Sequence, residues 1–147
     1  MKESIILLAE DDESQALIVK MNLAKAGISN EIIHFWHGGE VLEFLKKEGS
    51  GKTHKDSARY ILLLDIRMPV VDGKEVLEQI KNDKSLRRLP VIMLTTSDAP
   101  EDIEYCYEHG CSAYIAKPVT FDKFKEAIKN LGLFIKVVSV PKLPEEK

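Results

Sequence analysis

Apolar positions along the chain fall into five short runs, each followed by a stretch with helical spacing. The runs are Ile5–Ala9, Ile32–Trp36, Tyr60–Leu64, Val91–Leu94 and Ala113–Ala116. The first predicted helix carries Leu17, Met21 and Ala24 on one stripe, with Lys20 and Lys25 outside it, and stops at Gly27. Gly38-Gly39 opens a second around Val41, Leu42 and Leu45, and Gly73 a third with Val76, Leu77 and Ile80 inward. Asp98 and Glu101 have the spacing of a capping box, with Pro100 in the first turn of a fourth helix ending near Gly110. Phe121, Phe124, Ile128 and Leu131 mark one buried face of a fifth. Strand and helix thus alternate five times, which predicts an α/β fold: a doubly wound parallel sheet with right-handed crossovers.

The third run reads Tyr-Ile-Leu-Leu-Leu and leads straight into Asp65. Apolar character without alternation predicts a strand buried on both faces. A carboxylate at its end needs compensation, because a charge is costly to bury unpaired.

Two segments fit the alternation less well. Lys46–Arg59 is polar, contains Gly49 and Gly51, and reads as a long exposed loop. Phe134–Val140 is apolar and β-branched, and reads as a chain end packing back on the domain or as an interaction surface. One domain over 1–140 and a tail over 141–147 are expected.

Composition narrows the function classes. A hydrophobic share of 44% and a charged share of 31% are those of a globular chain. The formal net charge of −3 lacks the basic footprint of a nucleic-acid binder, and no apolar run is long enough for a membrane span. Cys106 and Cys111 lack the spacing of a metal site and read as plain thiols in a reducing cytoplasm. Gly49-Ser50-Gly51-Lys52-Thr53 resembles part of a nucleotide phosphate loop, but Lys46 stands where the motif needs its first glycine. His34, His37, His54 and His109 fall on different segments without ligand spacing.

The chemistry gathers at the strand ends. Glu10 and Asp11 follow the first strand, Asp65 the third, Thr95 ends the fourth and Lys117 follows the fifth. Ligands of open α/β sheets bind beyond the carboxyl ends of the strands. With the order 2-1-3-4-5, strands one and three are neighbours and the three carboxylates meet. Two carboxylates about 4–5 Å apart repel by roughly 3–4 kcal/mol at an effective dielectric near 20. Three in one cleft call for a cation, and oxygen ligands suit Mg²⁺ or Mn²⁺. A divalent ion, a lysine and a hydroxyl beside a carboxylate nucleophile are equipment for phosphoryl transfer through an acyl phosphate.

Glu10-Asp11, Asp65 with Met68-Pro69 and Asp72-Gly73, Thr95, and Lys117-Pro118 resemble the receiver domain of two-component response regulators, over about residues 4–133. The resemblance implies the flavodoxin-like receiver fold and phosphorylation of Asp65 by a sensor histidine kinase. It implies that Asp11, Asp65 and the backbone carbonyl of Arg67 bind Mg²⁺, with Glu10 acting through water and Asp12 the less favoured ligand of the acidic run. Lys117 would contact the phosphoryl group and precede a cis peptide to Pro118. Thr95 and Tyr114 would form the switch pair. Output would be an altered protein–protein surface on the fourth helix, fifth strand and fifth helix. The protein would be a cytoplasmic signalling phosphoacceptor and not an enzyme.

Arg67 and Ser97 depart from commoner members at positions flanking the water that attacks the acyl phosphate, where they would tune its lifetime. The long loop, the Phe134–Val140 extension and Leu94-Thr95-Thr96-Ser97 look like the single-domain receivers that partner phytochromes, which makes a homodimer compatible. The alternatives are a shuttle to a histidine phosphotransfer protein, a receiver-fold module that is never phosphorylated, and a metal-dependent phosphohydrolase. The last would carry an aspartate two residues after Asp65, where Arg67 stands.

Overall fold

The computed structural model describes residues 4–47 and 58–144. The phosphate-loop look-alike at Gly49–Thr53, His54 and most of the Lys46–Arg59 loop lie outside the described residues. Strands β1 (Ile5–Ala9), β2 (Ile32–Phe35), β3 (Tyr60–Leu64), β4 (Val91–Thr95) and β5 (Ala113–Ala116) form one sheet in the order β2-β1-β3-β4-β5. Every pairing is parallel. Helices α1 (Glu13–Lys25), α2 (Gly38–Leu45), α3 (Gly73–Asn82), α4 (Pro100–Glu108) and α5 (Phe121–Val137) alternate with them. The fold is the doubly wound, flavodoxin-like one that the alternation predicts.

The pleat explains the unbroken apolar runs, because successive strand residues face opposite layers. Leu7, Leu62, Leu64 and Met93 pack against Val41, Phe44, Val76, Leu77 and Ile80 of α2 and α3. Ile6, Leu8, Ile61, Leu63 and Ile92 pack against Val19 and Leu23 of α1 and Phe124, Ile128 and Leu131 of α5. Both faces of β3 are thereby buried.

Three expectations are corrected. The buried face of α1 is Ala16, Val19, Asn22 and Leu23, while Leu17 and Met21 are half exposed. Asn22 disguised the true stripe; its amide donates to the carbonyl of Ile18 at 2.8 Å, so it is buried without an orphaned donor. The N-cap of α4 is Ala99 and not Asp98, and no side chain caps it. Phe121, the first residue of α5, is 58% exposed and leaves the buried face to Phe124, Ile128, Leu131 and Ile135, with Lys125 over its ring.

The segment Phe134–Val140 divides between the two readings given for it. α5 continues to Val137, with Ile135 and Val140 buried in the α1–α5 layer and Phe134 and Val137 exposed. Leu143 is buried in the opposite layer.

Candidate functional site

Register sets the site. Ala9 pairs with Leu64, and Leu64 with Met93, so β1 and β3 end level and β4 runs two residues further to Thr95. Glu10 and Asp65 are the next residues out, with Asp65 N–H donating to the carbonyl of Ala9 at 3.2 Å. Carboxylate oxygens of Glu10, Asp11 and Asp65 lie within 4.8 Å of one another. Glu10 and Asp65 are buried and Asp11 is exposed. Asp12 instead caps α1, accepting from the N–H of Gln15 at 3.1 Å.

Lys117 reaches this cluster from the far side. Its ammonium donates to Glu10 Oε1 and stands 3.6 Å from Asp65 Oδ2, and all three side chains are buried. The Lys117–Glu10 pair joins residues at opposite ends of the sequence, a link that no local pattern announces. The Lys117-Pro118 peptide is trans, as is every peptide bond among the described residues, which corrects the expected cis bond. The trans form is the intrinsic preference of an X–Pro bond by about 0.5–1 kcal/mol. Here the backbone before it is already fixed, with Lys117 N–H bonded to the carbonyl of Thr95 at 2.6 Å.

Among the described residues, two buried side-chain polar atoms are left over. Asp65 Oδ1 and Thr95 Oγ1 are buried without a hydrogen-bond partner. Such orphans are costly in a finished core, and at a site they point to something that arrives. Tyr114 is half buried, and its hydroxyl donates to the carbonyl of Ser97 at 2.7 Å. Ser97 is buried and Arg67 is exposed.

The loop after Asp65 is held in an uncommon shape. Val71 N–H bonds to the carbonyl of Pro69 at 2.8 Å across Val70, whose φ is +69°. This is the rarer γ-turn, strained for a β-branched residue. Asp72 then caps α3, accepting from the N–H of Glu75 at 3.0 Å, and Gly73 N–H bonds to the carbonyl of Ile66 at 2.7 Å.

Burial pushes the Glu10 carboxyl up to about 7, against the pull of Lys117 and with some help from the charge of Asp65. One lysine therefore does not neutralise the cluster. An oxygen-only donor set with an orphaned Asp65 oxygen fits a hard divalent cation. Neither Cys106 nor Cys111 joins the site; both are free and buried, and burial raises both thiols, Cys106 to about 11. His34 donates from Nε2 to the Glu10 carbonyl at 2.8 Å, a contact with the site's backbone.

The family profile described as the response regulator receiver domain matches residues 6–129. The chain belongs to that family. Response regulator Rcp1 of Synechocystis sp. is 31% identical to this receiver over 139 residues, 93% of this chain and 92% of Rcp1. A crystal structure of the Mn²⁺-bound form of Rcp1 superposes with a TM-score of 0.84 at 28% identity, covering 94% and 99% of the two chains. A receiver domain from Rhodospirillum rubrum reaches a TM-score of 0.86 at 36% identity, covering 96% and 99%. The phosphorylated cyanobacterial phytochrome response regulator RcpA reaches 0.85 at 28% identity, covering 96% and 100%. The acidic cluster Glu10, Asp11 and Asp65 fits the divalent-metal site of receivers. No helix among the described residues is long and apolar enough to cross a membrane.

A pH dependence follows from Glu10. Its folded-state pKa is raised, so the folded receiver binds this proton more tightly than the unfolded chain. The stability that the proton contributes is full below about 4.5 and is lost as pH rises through about 7. In EDTA, thermal melts should show the receiver less stable at pH 8 than at pH 5.5, and Glu10→Gln should flatten the difference. Added Mg²⁺ should raise the melting temperature more at pH 8. An equal shift at both pH values would mean that Glu10 takes no part in holding the ion.

Proposed function

We propose that this receiver accepts a phosphoryl group on Asp65 from a sensor histidine kinase and signals through a changed protein surface. The observation that carries the reading is Asp65 itself, buried beside Lys117 with one oxygen unpartnered. In the transfer, an Asp65 oxygen attacks phosphorus in line, the P–N bond to the kinase histidine breaks, and the imidazole leaves. Lys117 stabilises charge on the equatorial oxygens, and Thr95 donates its free hydroxyl to one of them. Asp11, Asp65 and the Arg67 carbonyl would hold a divalent ion, with Glu10 acting through water. When bound, that ion supplies further neutralisation of the phosphoryl oxygens.

The switch in this reading is Thr95 moving to the phosphoryl group while the Tyr114 ring turns inward. A group of nearly two negative charges shifts an existing equilibrium and need not create a new state. The output face is α4, β5 and α5. A groove of about 330 Å³ lined by Ile92, Ala113, Ile115, Leu131 and Phe134 lies there. Exposed Leu133, Phe134 and Val137 provide apolar surface for a partner protein or a homodimer. The likeness to RcpA, a phytochrome response regulator, supports a phytochrome-type kinase as donor. We take the receiver unit as 1–140 and its setting as cytoplasmic.

The test is incubation with acetyl phosphate and Mg²⁺, followed by intact mass, with Asp65→Asn as control. Wild type should gain one phosphoryl group and the variant none. Turnover of phosphate esters would support a hydrolase instead, and an unchanged mass would support a module that is never phosphorylated.

A further inference from the structure

Glu10 is anchored through both its backbone and its side chain, and one anchor is a residue that is no ligand. Its N–H donates to the carbonyl of Phe35 at 3.0 Å. Its Oε1 takes the ammonium of Lys117, and its Oε2 accepts from the N–H of Asp12 at 3.2 Å. The remaining anchor is His34 Nε2, 2.8 Å from the Glu10 carbonyl oxygen. A carbonyl can only accept, so that nitrogen carries the proton.

The strand ladder explains why an imidazole is needed there. β1 and β2 pair in parallel, with Leu8 opposite His34 and Ala9 opposite Phe35. Continued one step, the ladder would set Glu10 opposite Trp36 and offer the N–H of His37 to the Glu10 carbonyl. The chain leaves the strand before that. Trp36 N–H donates to Glu40 Oε1 at 2.8 Å, and His37 caps α2, its Nδ1 accepting from Glu40 N–H at 3.1 Å. The Glu10 carbonyl thus loses its strand partner where the acidic run begins. The half-buried imidazole of His34 reaches forward to replace it, with its ring centroid 4.1 Å from that of Trp36.

We propose that His34 is a positioning residue for the divalent cation, holding the Glu10–Asp11 peptide so that the Asp11 carboxylate faces the ion it would share with Asp65. The proposal rests on the reading of Asp11 and Asp65 as metal ligands. The carbonyl that His34 holds belongs to the peptide plane leading into Asp11. On the other side of Asp11, Asp12 is fixed at the start of α1, accepting from Gln15 N–H at 3.1 Å and, on its carbonyl, from Ala16 N–H at 3.0 Å. Asp11 is strung between these two pinned peptides, with a carboxylate oxygen within 4.8 Å of those of Glu10 and Asp65. Without a donor at position 34 the peptide turns to find another partner, since an unpaired carbonyl is costly. That turn displaces Asp11, while Asp65 and Lys117 stand on other strand ends. Partners that orient metal ligands commonly change affinity by about 10- to 100-fold when removed. His34 acts on the backbone beside the ligand, so its effect belongs at the lower end.

The experiment titrates the full chain with Mg²⁺ alone, following the amide NMR signals of Asp12 and Ile66. It then measures phosphorylation by acetyl phosphate at rising Mg²⁺. His34→Phe keeps an aromatic ring beside Trp36 and removes the donor. It should raise the Mg²⁺ dissociation constant about five- to tenfold, and the Mg²⁺ needed for half-maximal phosphorylation by the same factor. The rate at saturating Mg²⁺ should stay within about twofold of wild type, because saturation recovers a lost binding contribution. His34→Gln, whose amide can donate from nearly the same place, should bind Mg²⁺ as wild type does. Unchanged Mg²⁺ affinity in His34→Phe overturns the proposal. Equal weakening in His34→Phe and His34→Gln also overturns it, because the imidazole is then a packing group. A saturated rate that falls in step with affinity overturns it too, since His34 then acts on the transfer. His34→Met also lacks the donor and takes the place of His34→Phe if that variant fails to fold. If wild type itself shows no Mg²⁺ binding, the metal-site reading falls and the proposal with it.

Discussion

Lys117→Met is expected to slow phosphorylation by acetyl phosphate at least about 100-fold, the scale on which loss of one charge-stabilising donor acts. Methionine preserves the apolar stem and removes only the ammonium that donates to Glu10 and stands 3.6 Å from Asp65. Two buried carboxylates are then left on neighbouring strand ends. Removing one partner of a buried pair costs roughly 3–5 kcal/mol, because the charge left behind has no compensation. The cost should depend on pH. Glu10, with a pKa of about 7 beside Lys117, goes higher still without it and is protonated already at neutral pH. The melting temperature of the variant should therefore fall far below wild type at pH 8 and approach it near pH 5. Mg²⁺ should recover part of the stability at pH 8 while leaving the rate low, because the ion cannot replace the ammonium across the cleft. Intact-mass time courses and thermal melts measure the two effects. A rate within about twofold of wild type would remove Lys117 from the transfer machinery.

The sheet was legible because buried strands leave an unmistakable trace. Tyr60–Leu64 is apolar at every position since both its faces meet helices, and the residue after it has nowhere to go but the sheet's edge. The carboxylates were legible for the same reason, being the first polar residues after apolar runs. α1 was misread because its buried face includes a polar residue, Asn22, satisfied by its own helix, while Leu17 and Met21 look outward. Sequence spacing weighs residue types, and it has no knowledge of a hydrogen bond four residues back. At α4, Asp98 and Glu101 have the spacing of a capping box, yet the helix begins one residue later and Asp102 is engaged with Ser97 and Lys74. The long-range ties, Lys117 to Glu10 and Lys74 to Asp102, depend on which helices and strands stand side by side. Only the folded chain brings those pairs together.

Gly73→Ala tests how Asp65 is held in place, and it should be among the most damaging single methyl groups in the chain. A Cβ at position 73 would lie 2.1 Å from the carbonyl oxygen of Asp65 and 2.8 Å from both the Asp65 carbonyl carbon and the Ile66 Cα. All three are backbone atoms of the segment that carries the phosphoacceptor, so no side chain can swing aside. Room must come from moving β3 away from α3, which breaks the 2.7 Å bond from Gly73 N–H to Ile66 and shifts Asp65 relative to Glu10 and Lys117. Overpacking of a filled core commonly costs about 1–3 kcal/mol, and a clash this close with backbone should reach or exceed the top of that range. Gly39→Ala is the matched control. It also lies in a helix, but the atoms nearest its new methyl are side-chain atoms, Val70 Cγ1 at 3.1 Å and the His37 ring at 3.2 Å. The helical preference of alanine over glycine works against the small displacement that Val70 and the capping His37 ring must make, so Gly39→Ala should cost far less than Gly73→Ala. Urea unfolding of both variants gives the stabilities, and Mg²⁺ titration reports whether Asp65 still meets Asp11. If Gly73→Ala kept wild-type stability and Mg²⁺ affinity, the close approach of α3 would not be what positions Asp65. The register of β3 against β1, with Asp65 N–H on the Ala9 carbonyl, would then be what positions it.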